Sequence, residues 1–364
     1  GKTLTIDANK MTSTVLTFDG SGENDGKFDI KLTGSGAHDI TLGNSDDTVT
    51  SASTGADIVV ATAGSNTIST GDGADIITGG TGADNISGQA GDDVFKFVTG
   101  NFTSTDTVDG GAGSDTISLQ TDGSIVIDDD YTNVTNTEIL TTASGKKLTA
   151  TLGAKAAASG LTSVVLNDTT AADSITVGAG FDKDLSVTID RDTTSGSSVI
   201  ATSYTKSLTV KALTSDMDDD GEGSVAQTLT GGTGTDTLEL TTAATSDVVI
   251  TSGITKFETF KLKSAGTATN HALSITTADG LVAKGATLTI DGSGMNNPTG
   301  KAAANDAKLT FDGKAEADGN FVITTAGADA HVITLGQKND TYTGSGSGNT
   351  DITATGGVNT ITTG

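Results

Sequence analysis

The stretch that decides the fold is Gly71-Asp72-Gly73-Ala74-Asp75-Ile76-Ile77-Thr78-Gly79-Gly80-Thr81-Gly82-Ala83-Asp84-Asn85-Ile86-Ser87. Within it the order glycine, small residue, aspartate, any residue, apolar residue recurs after nine positions. The same order extends outward in both directions. The leading position is Gly36, Ser45, Gly55, Gly64, Gly73, Gly82 and Gly91. The polar position is His38, Asp47, Asp57, Asn66, Asp75, Asp84 and Asp93, and the apolar one is Ile40, Val49, Val59, Ile68, Ile77, Ile86 and Phe95. The spacing is nine throughout, with one step of ten between Asp47 and Asp57.

A period this short and regular is the mark of a solenoid. Glycine permits the positive φ of a tight turn, and the residues after the aspartate form a short strand with one apolar side chain inward. Two nonapeptides make one coil, so the turns stack along two edges. Asp57, Asp75 and Asp93 fall on one edge, and Asp47, Asn66 and Asp84 on the other. Stacked carboxylates beside turn carbonyls offer an all-oxygen, flexible ligand set, which suits calcium. Without a cation the carboxylates repel, so folding and binding are coupled.

Two isolated copies follow. Gly110-Gly111-Ala112-Gly113-Ser114-Asp115 and Gly231-Gly232-Thr233-Gly234-Thr235-Asp236 each lead into longer strands, which places further calcium turns at Asp115 and Asp236. Downstream of them Glu138 and Glu258 read equally as ligands or as solvated rim positions. Asp216, Asp218 and Asp220 open a D-x-D-x-D-G loop between strand-like flanks. A calcium loop is the favoured reading there, and a solvated acidic turn the other. Asp128-Asp129-Asp130 is a weaker metal candidate. So is Asp19 with Glu23 and Asp25, which recurs as Asp312, Glu316 and Asp318.

A second, larger period is present. Gly1-Lys2-Thr3-Leu4-Thr5-Ile6-Asp7 recurs as Gly285-Ala286-Thr287-Leu288-Thr289-Ile290-Asp291, an offset of 284. After a nine-residue insertion the offset is 293. Leu16-Thr17-Phe18-Asp19-Gly20 then matches Leu309-Thr310-Phe311-Asp312-Gly313, His38 matches His331, Asp47 matches Asp340 and Asn66 matches Asn359. Asp340 joins the expected ligands. The chain reads as one unit of a tandem array and the start of the next, hence as part of a longer protein.

Composition agrees. Of 364 residues only 34% are apolar and 4% aromatic, with 49 Gly and 1 Pro, too little for a conventional two-layer core but enough for a thin one lined by small β-branched residues. The net charge of −26 argues against a nucleic-acid partner, which needs a basic face. Cysteine is absent, so neither disulfides nor thiolate metal sites exist. No apolar run is long enough for a membrane span. The three histidines are His38, His271 and His331. His38 and His331 occupy the aspartate slot and are expected to cap the ladder, and no nucleophile, zinc-protease or phosphate-loop motif occurs. The chain is expected not to be an enzyme.

The G-G-x-G-x-D-x-U-x copies resemble the RTX (repeats-in-toxin) calcium-binding family. The Thr/Ala/Gly richness, the isolated turns, and Thr137-Glu138-Ile139-Leu140 with Phe257-Glu258-Thr259-Phe260 look like calcium-dependent bacterial surface-layer proteins. The resemblance implies an all-β fold of right-handed parallel β-solenoid type, an RTX calcium β-roll with further β-helical segments. It also implies multiple Ca2+ ions, export by type I secretion, and an extracellular place on the bacterial cell surface. The expected segments are 1–33 entering the roll, 34–118 the β-roll, 119–230 a solenoid with an acidic calcium loop, 231–284 a second G-G-x-G-x-D module, and 285–364 the next unit. The expected function is a calcium-stabilised structural protein that self-assembles into an S-layer lattice or surface filament, with cell-surface polysaccharide as a further candidate partner. The alternatives are the stalk of a giant RTX adhesin, or the secretion and folding domain of a larger secreted enzyme.

Overall fold

The computed structural model describes residues 1–98, 100–168, 171–189, 196–217, 227–242, 246–250, 253–264, 272–295, 308–327, 330–346 and 348–364. It is all-β, with parallel sheets forming a β-solenoid. In the nonapeptide region the strands are three to six residues long, and in the three-residue ones, such as Ile58–Val60 and Ile76–Thr78, only the central side chain turns inward. Thr, Val and Ile favour the extended backbone, and the glycine–aspartate turns end it. Val59 pairs in parallel with Ile77, 18 residues on, which confirms two nonapeptides per coil.

Chain contacts divide the molecule into two units, 1–167 with 180–182, and 168–179 with 183–364. In the first, one sheet stacks Phe18, Ile40, Val59, Ile77, Phe95, Ile117, Leu140 and Val164 in register. The other stacks Ile6, Ile30, Val49, Ile68, Ile86, Val108 and Val134. From Ile40 and Ile30 onward every member of both columns is buried. The core is therefore one side chain thick from each sheet, which is why a low apolar content suffices.

Past Phe95 the coils widen from 18 to 22 and then 23 residues. The added volume is filled by Phe97, Phe102 and Tyr131, whose rings pack at 5.2 and 5.4 Å. A short helix, Ala154–Ser159, was not anticipated from the sequence. Its first turn is capped from the preceding coil. Asp128 Oδ1 accepts the Gly153 and Ala156 amides at 2.8 and 2.9 Å, and Oδ2 accepts that of Lys155 at 3.3 Å. Among the described residues no helix is long and apolar enough to cross a membrane.

The second unit repeats the principle with longer strands. One column runs Val187, Val210, Leu238, Phe260, Ile290, Ile323, Tyr342 and Ile361. Another runs Val248, Ile275, Phe311, Ile333 and Ile352. The large sequence period is a structural period too. Phe18 meets Phe28 edge-on at 4.9 Å, and their counterparts Phe311 and Phe321 do the same at 5.1 Å.

Coils stack so closely at the turns that a side chain has no room. Gly91 sits at φ 131°, and a Cβ there would lie 1.8 Å from the Gly73 carbonyl oxygen of the coil below. Gly91→Ala is expected to destabilise the calcium-loaded protein by about 1–3 kcal/mol or more. Gly100→Ala, at φ 78° in open space, should cost no more than about 1 kcal/mol. Denaturant unfolding of the two variants checks the ordering.

Candidate metal centre

Each aspartate of the repeat performs the same act. Its Oδ1 accepts the main-chain N–H of the polar residue one coil earlier. Along one edge His38 N–H donates to Asp57 at 2.8 Å, Asp57 to Asp75 at 2.6 Å, Asp75 to Asp93 at 2.8 Å and Asp93 to Asp115 at 2.8 Å. Along the other Phe28 donates to Asp47 at 2.7 Å, Asp47 to Asn66 at 2.9 Å, Asn66 to Asp84 at 2.8 Å and Asp84 to Asp106 at 3.0 Å. The two edges carry the residues that the spacing assigns to them.

Both ladders extend beyond the obvious copies. His38 and His331 replace the carboxylate, their Nδ1 accepting the Leu16 and Leu309 amides at 3.0 and 3.1 Å. Glu138 accepts the Asp115 amide at 2.9 Å and Glu258 the Asp236 amide at 2.7 Å, so these two are rungs rather than rim positions. Asp106 was missed because the loop before it breaks the nine-residue spacing. The Asp106-Thr107-Val108 order was the available signal.

The second oxygen is where a cation belongs. Oδ2 of Asp75, Asp84, Asp93, Asp115 and Asp340 is buried without a hydrogen-bonding partner, a costly state for a charged group. A Cβ on Gly88 would fall 2.1 Å from Asp93 Oδ2 and 2.8 Å from the Gly110 carbonyl. One on Gly110 would fall 2.6 Å from Asp115 Oδ2 and 1.8 Å from the Asn136 carbonyl. Carboxylate and carbonyl oxygens thus converge on space that only glycine leaves free. Asn66 shows what such space asks for. Its Nδ2 donates to the Ala63 and Gly64 carbonyls at 3.1 and 3.3 Å and to Asp84 Oδ1 at 3.0 Å, an N–H group satisfying oxygens that elsewhere lack a positive partner. The donor set is all oxygen, as a hard cation requires.

The family model of the RTX calcium-binding nonapeptide repeat, four copies, matches residues 51–86, 69–101 and 103–119. This stretch is an RTX β-roll. No curated protein and no solved structure gives a significant match to the chain.

RTX nonapeptide repeats bind calcium, and in the β-roll here Asp75, Asp84, Asp93 and Asp115, with the carbonyls of their turns, are the candidate ligands. Asp47, Asp57 and Asp236 lie in the same slot, but the protein already donates to both their oxygens. The second donors are the Gly43 amide, the Ser51 hydroxyl and the Gly232 amide, at 3.1, 3.0 and 2.6 Å. Asp340 takes the Phe321 amide at 2.7 Å, as Asp47 takes that of Phe28, but unlike Asp47 its Oδ2 has no second donor.

The other acidic groups divide. Asp216 Oδ2 accepts the Leu213 amide at 2.8 Å and closes its own turn; Asp218 and Asp220 lie outside the described residues, as does His271. Asp128 caps the helix, Asp129 pairs with Lys155 at 2.8 Å, and Asp130 accepts the Ile127 amide. Asp312 pairs with Lys314 at 2.6 Å. Glu316 and Asp318 instead group with Asp279, with ligand atoms within 4.8 Å of one another.

Burial governs the electrostatics of the roll. It pushes Asp75 up to about 7, with the Asp93 and Asp57 charges adding to the effect and the Asp57 amide opposing it. Burial raises Asp84 and Asp93 to about 6, and it also raises Asp47, Asp57, Asp115, Asp236 and Asp340. An unfolded aspartate titrates near 3.9. A folded value above that adds stability below about pH 4, and this is lost as pH rises through 6 to 7. In chelator the protein should therefore lose stability between pH 5 and pH 8. Calcium affinity should rise over the same window, because the ion displaces protons. Asp75→Asn keeps the Oδ1 acceptor and removes the charge. It should flatten the chelator profile and lower the number of bound ions, whereas Asp75→Ala should lose stability in both conditions. Thermal unfolding across pH, with calorimetric ion counting, checks all three.

Proposed function

We propose that this chain is a calcium-stabilised extracellular structural protein that self-assembles on the bacterial cell surface, as a lattice or filament. The observation that carries the reading is the tandem period. The same coil, with the same Phe–Phe pair, the same histidine rung and the same aspartate slot, occurs 284 to 293 residues apart in one chain. Repetition on that scale multiplies length and surface, which serves a scaffold.

Several features support the reading. RTX repeat proteins are typically secreted. A roll that relies on calcium for its charge balance suits an extracellular setting, where the ion is abundant, and the chain has no cysteine to staple it otherwise. The ladder aspartates of the β-roll each take a main-chain amide of the coil before them, so the reading assigns them a structural role. The net charge of −26 favours divalent cations over nucleic acid as partners. The tandem period also favours a second reading, the repetitive stalk of a large adhesin.

Above neutral pH, where the buried aspartates are ionised, the protein should be largely unfolded in chelator and should fold with calcium at about 10⁻⁴ to 10⁻³ M, the range of extracellular modules. Circular dichroism during calcium titration measures this, and full β-structure in chelator would contradict it. Electron microscopy of the calcium-loaded protein tests the assembly. Ordered sheets or fibres support the lattice or filament, separate rods support the stalk, and monodisperse single particles at high concentration argue against self-assembly.

A further inference from the structure

The slots of the ladder sort by one backbone angle, four residues before the carboxylate. Asp75, Asp84, Asp93 and Asp115, whose Oδ2 has no partner, follow Gly71, Gly80, Gln89 and Gly111 at that distance. These four are left-handed, with φ of 90°, 76°, 74° and 101°. Asp47, Asp57, Asp106 and Asp236 have a second donor and follow Gly43, Ser53, Phe102 and Gly232, none of which is left-handed. Gly336, four before Asp340, is not left-handed either. Burial raises Asp340, and the Phe321 and Gly336 amides oppose that rise, although Oδ2 makes no hydrogen bond.

Angle and donor are linked. At Asp47 and Asp236 the second donor is the amide of the residue in question, Gly43 at 3.1 Å and Gly232 at 2.6 Å. Rotating φ there into the left-handed region swings that N–H off the carboxylate. Because the peptide is planar, the preceding carbonyl swings the opposite way. A slot can therefore hold an amide or leave Oδ2 free for a cation, and one residue decides which.

The two isolated turns show this choice with the other oxygens of the seat alike. A Cβ on Gly110 would fall 2.6 Å from Asp115 Oδ2 and 1.8 Å from the Asn136 carbonyl. One on Gly231 would fall 2.7 Å from Asp236 Oδ2 and 2.0 Å from the Lys256 carbonyl. Asn136 and Lys256 are themselves left-handed, at φ 52° and 60°. Both turns thus bring a carboxylate and a carbonyl oxygen to the same place. They part at the residue four before the aspartate: Gly111 is left-handed, while the Gly232 amide occupies Asp236. Gln89 shows that the open angle is not confined to glycine. Left-handed backbone is costly for a residue with a side chain, and Gln89 is exposed, its Nε2 bonded to the Ser69 hydroxyl.

We propose that the residue four before each rung is the gate of that rung's calcium seat. Left-handed, it leaves the second carboxylate oxygen to the ion. Outside that region the slot is shut, because its own amide or another protein donor takes the oxygen. Calcium then enters at Asp75, Asp84, Asp93 and Asp115, and the Asp236 turn closes on a peptide amide instead. The gate rests on calcium binding by the roll and is independent of surface assembly.

Gln89 is the position to test, because its side chain can be changed without filling the space that the glycines keep clear. Native mass spectrometry counts the ions on the calcium-loaded 364-residue chain. A β-branched residue resists the left-handed region more strongly, so Gln89→Val should shut the seat and lose one ion. Asp93→Asn should lose that ion too, and the double variant should lose no more than Asp93→Asn alone. Asp236→Asn, at a shut slot, should keep the full count. Amide exchange of Thr116–Leu119 checks that the roll stays folded. Gln89→Gly removes the strain of the open turn and carries no risk to the fold. It should keep the count and bind calcium about fivefold more tightly in competition with a chelator. A full count in Gln89→Val, a further loss in the double variant, a lost ion in Asp236→Asn or an unchanged affinity in Gln89→Gly overturns the gate and leaves calcium binding by the roll standing. A full count in Asp93→Asn removes the Asp93 seat and the gate with it.

Discussion

The structure depends on one interaction: a side-chain oxygen accepting the main-chain N–H of the coil before it. In a parallel solenoid the turn amides cannot all pair with turn carbonyls, because each turn reverses the chain within a few residues. The aspartate Oδ1 supplies the missing acceptor, and it does so at a fixed height, because the side chain is short. Stacking the coils then repeats that bond along each edge, from Phe28 to Asp106 on one and from His38 to Asp115 on the other.

The same bond creates the charge problem that calcium solves. Using one oxygen of a buried carboxylate leaves the other facing main-chain oxygens, and burial then favours the protonated acid. Four consequences are visible in the residues chosen. Where the slot holds Asn66, the amide N–H satisfies the turn carbonyls itself. Where it holds His38 or His331, a ring nitrogen makes the rung. Asp47, Asp57 and Asp236 draw a second protein donor. Asp75, Asp93 and Asp115 on one edge of the RTX roll and Asp84 on the other have none.

The thin core explains the composition. One inward side chain per short strand, in register over many coils, buries enough apolar surface without large residues. The coil can then widen wherever an insertion falls, as it does after Phe95, with aromatic rings and a capped helix filling the space. Widening does not disturb the ladder, since the rung spacing is set by coil stacking and not by coil length: Asp93 to Asp115 spans 22 residues and Asp115 to Glu138 spans 23, yet the bonds are 2.8 and 2.9 Å.

The sequence by itself determined the coil, the two edges, the aspartate slot and the large period, because each is a matter of spacing, and spacing survives without coordinates. Asp57, Asp75 and Asp93 on one edge, and Asp47, Asn66 and Asp84 on the other, follow from counting by nines. Only the tertiary structure decided which slots lack a second donor, since that depends on a Ser51 hydroxyl, a Gly43 amide or a Gly232 amide reaching the carboxylate in space. It also revealed Asp106 and Glu138 as rungs, because unequal loops hide their spacing while stacking restores it. Asp128 shows the limit from the other side. An acidic run reads as a metal candidate in sequence, but a helix in the next coil, 25 residues on, brings three amides to its carboxylate.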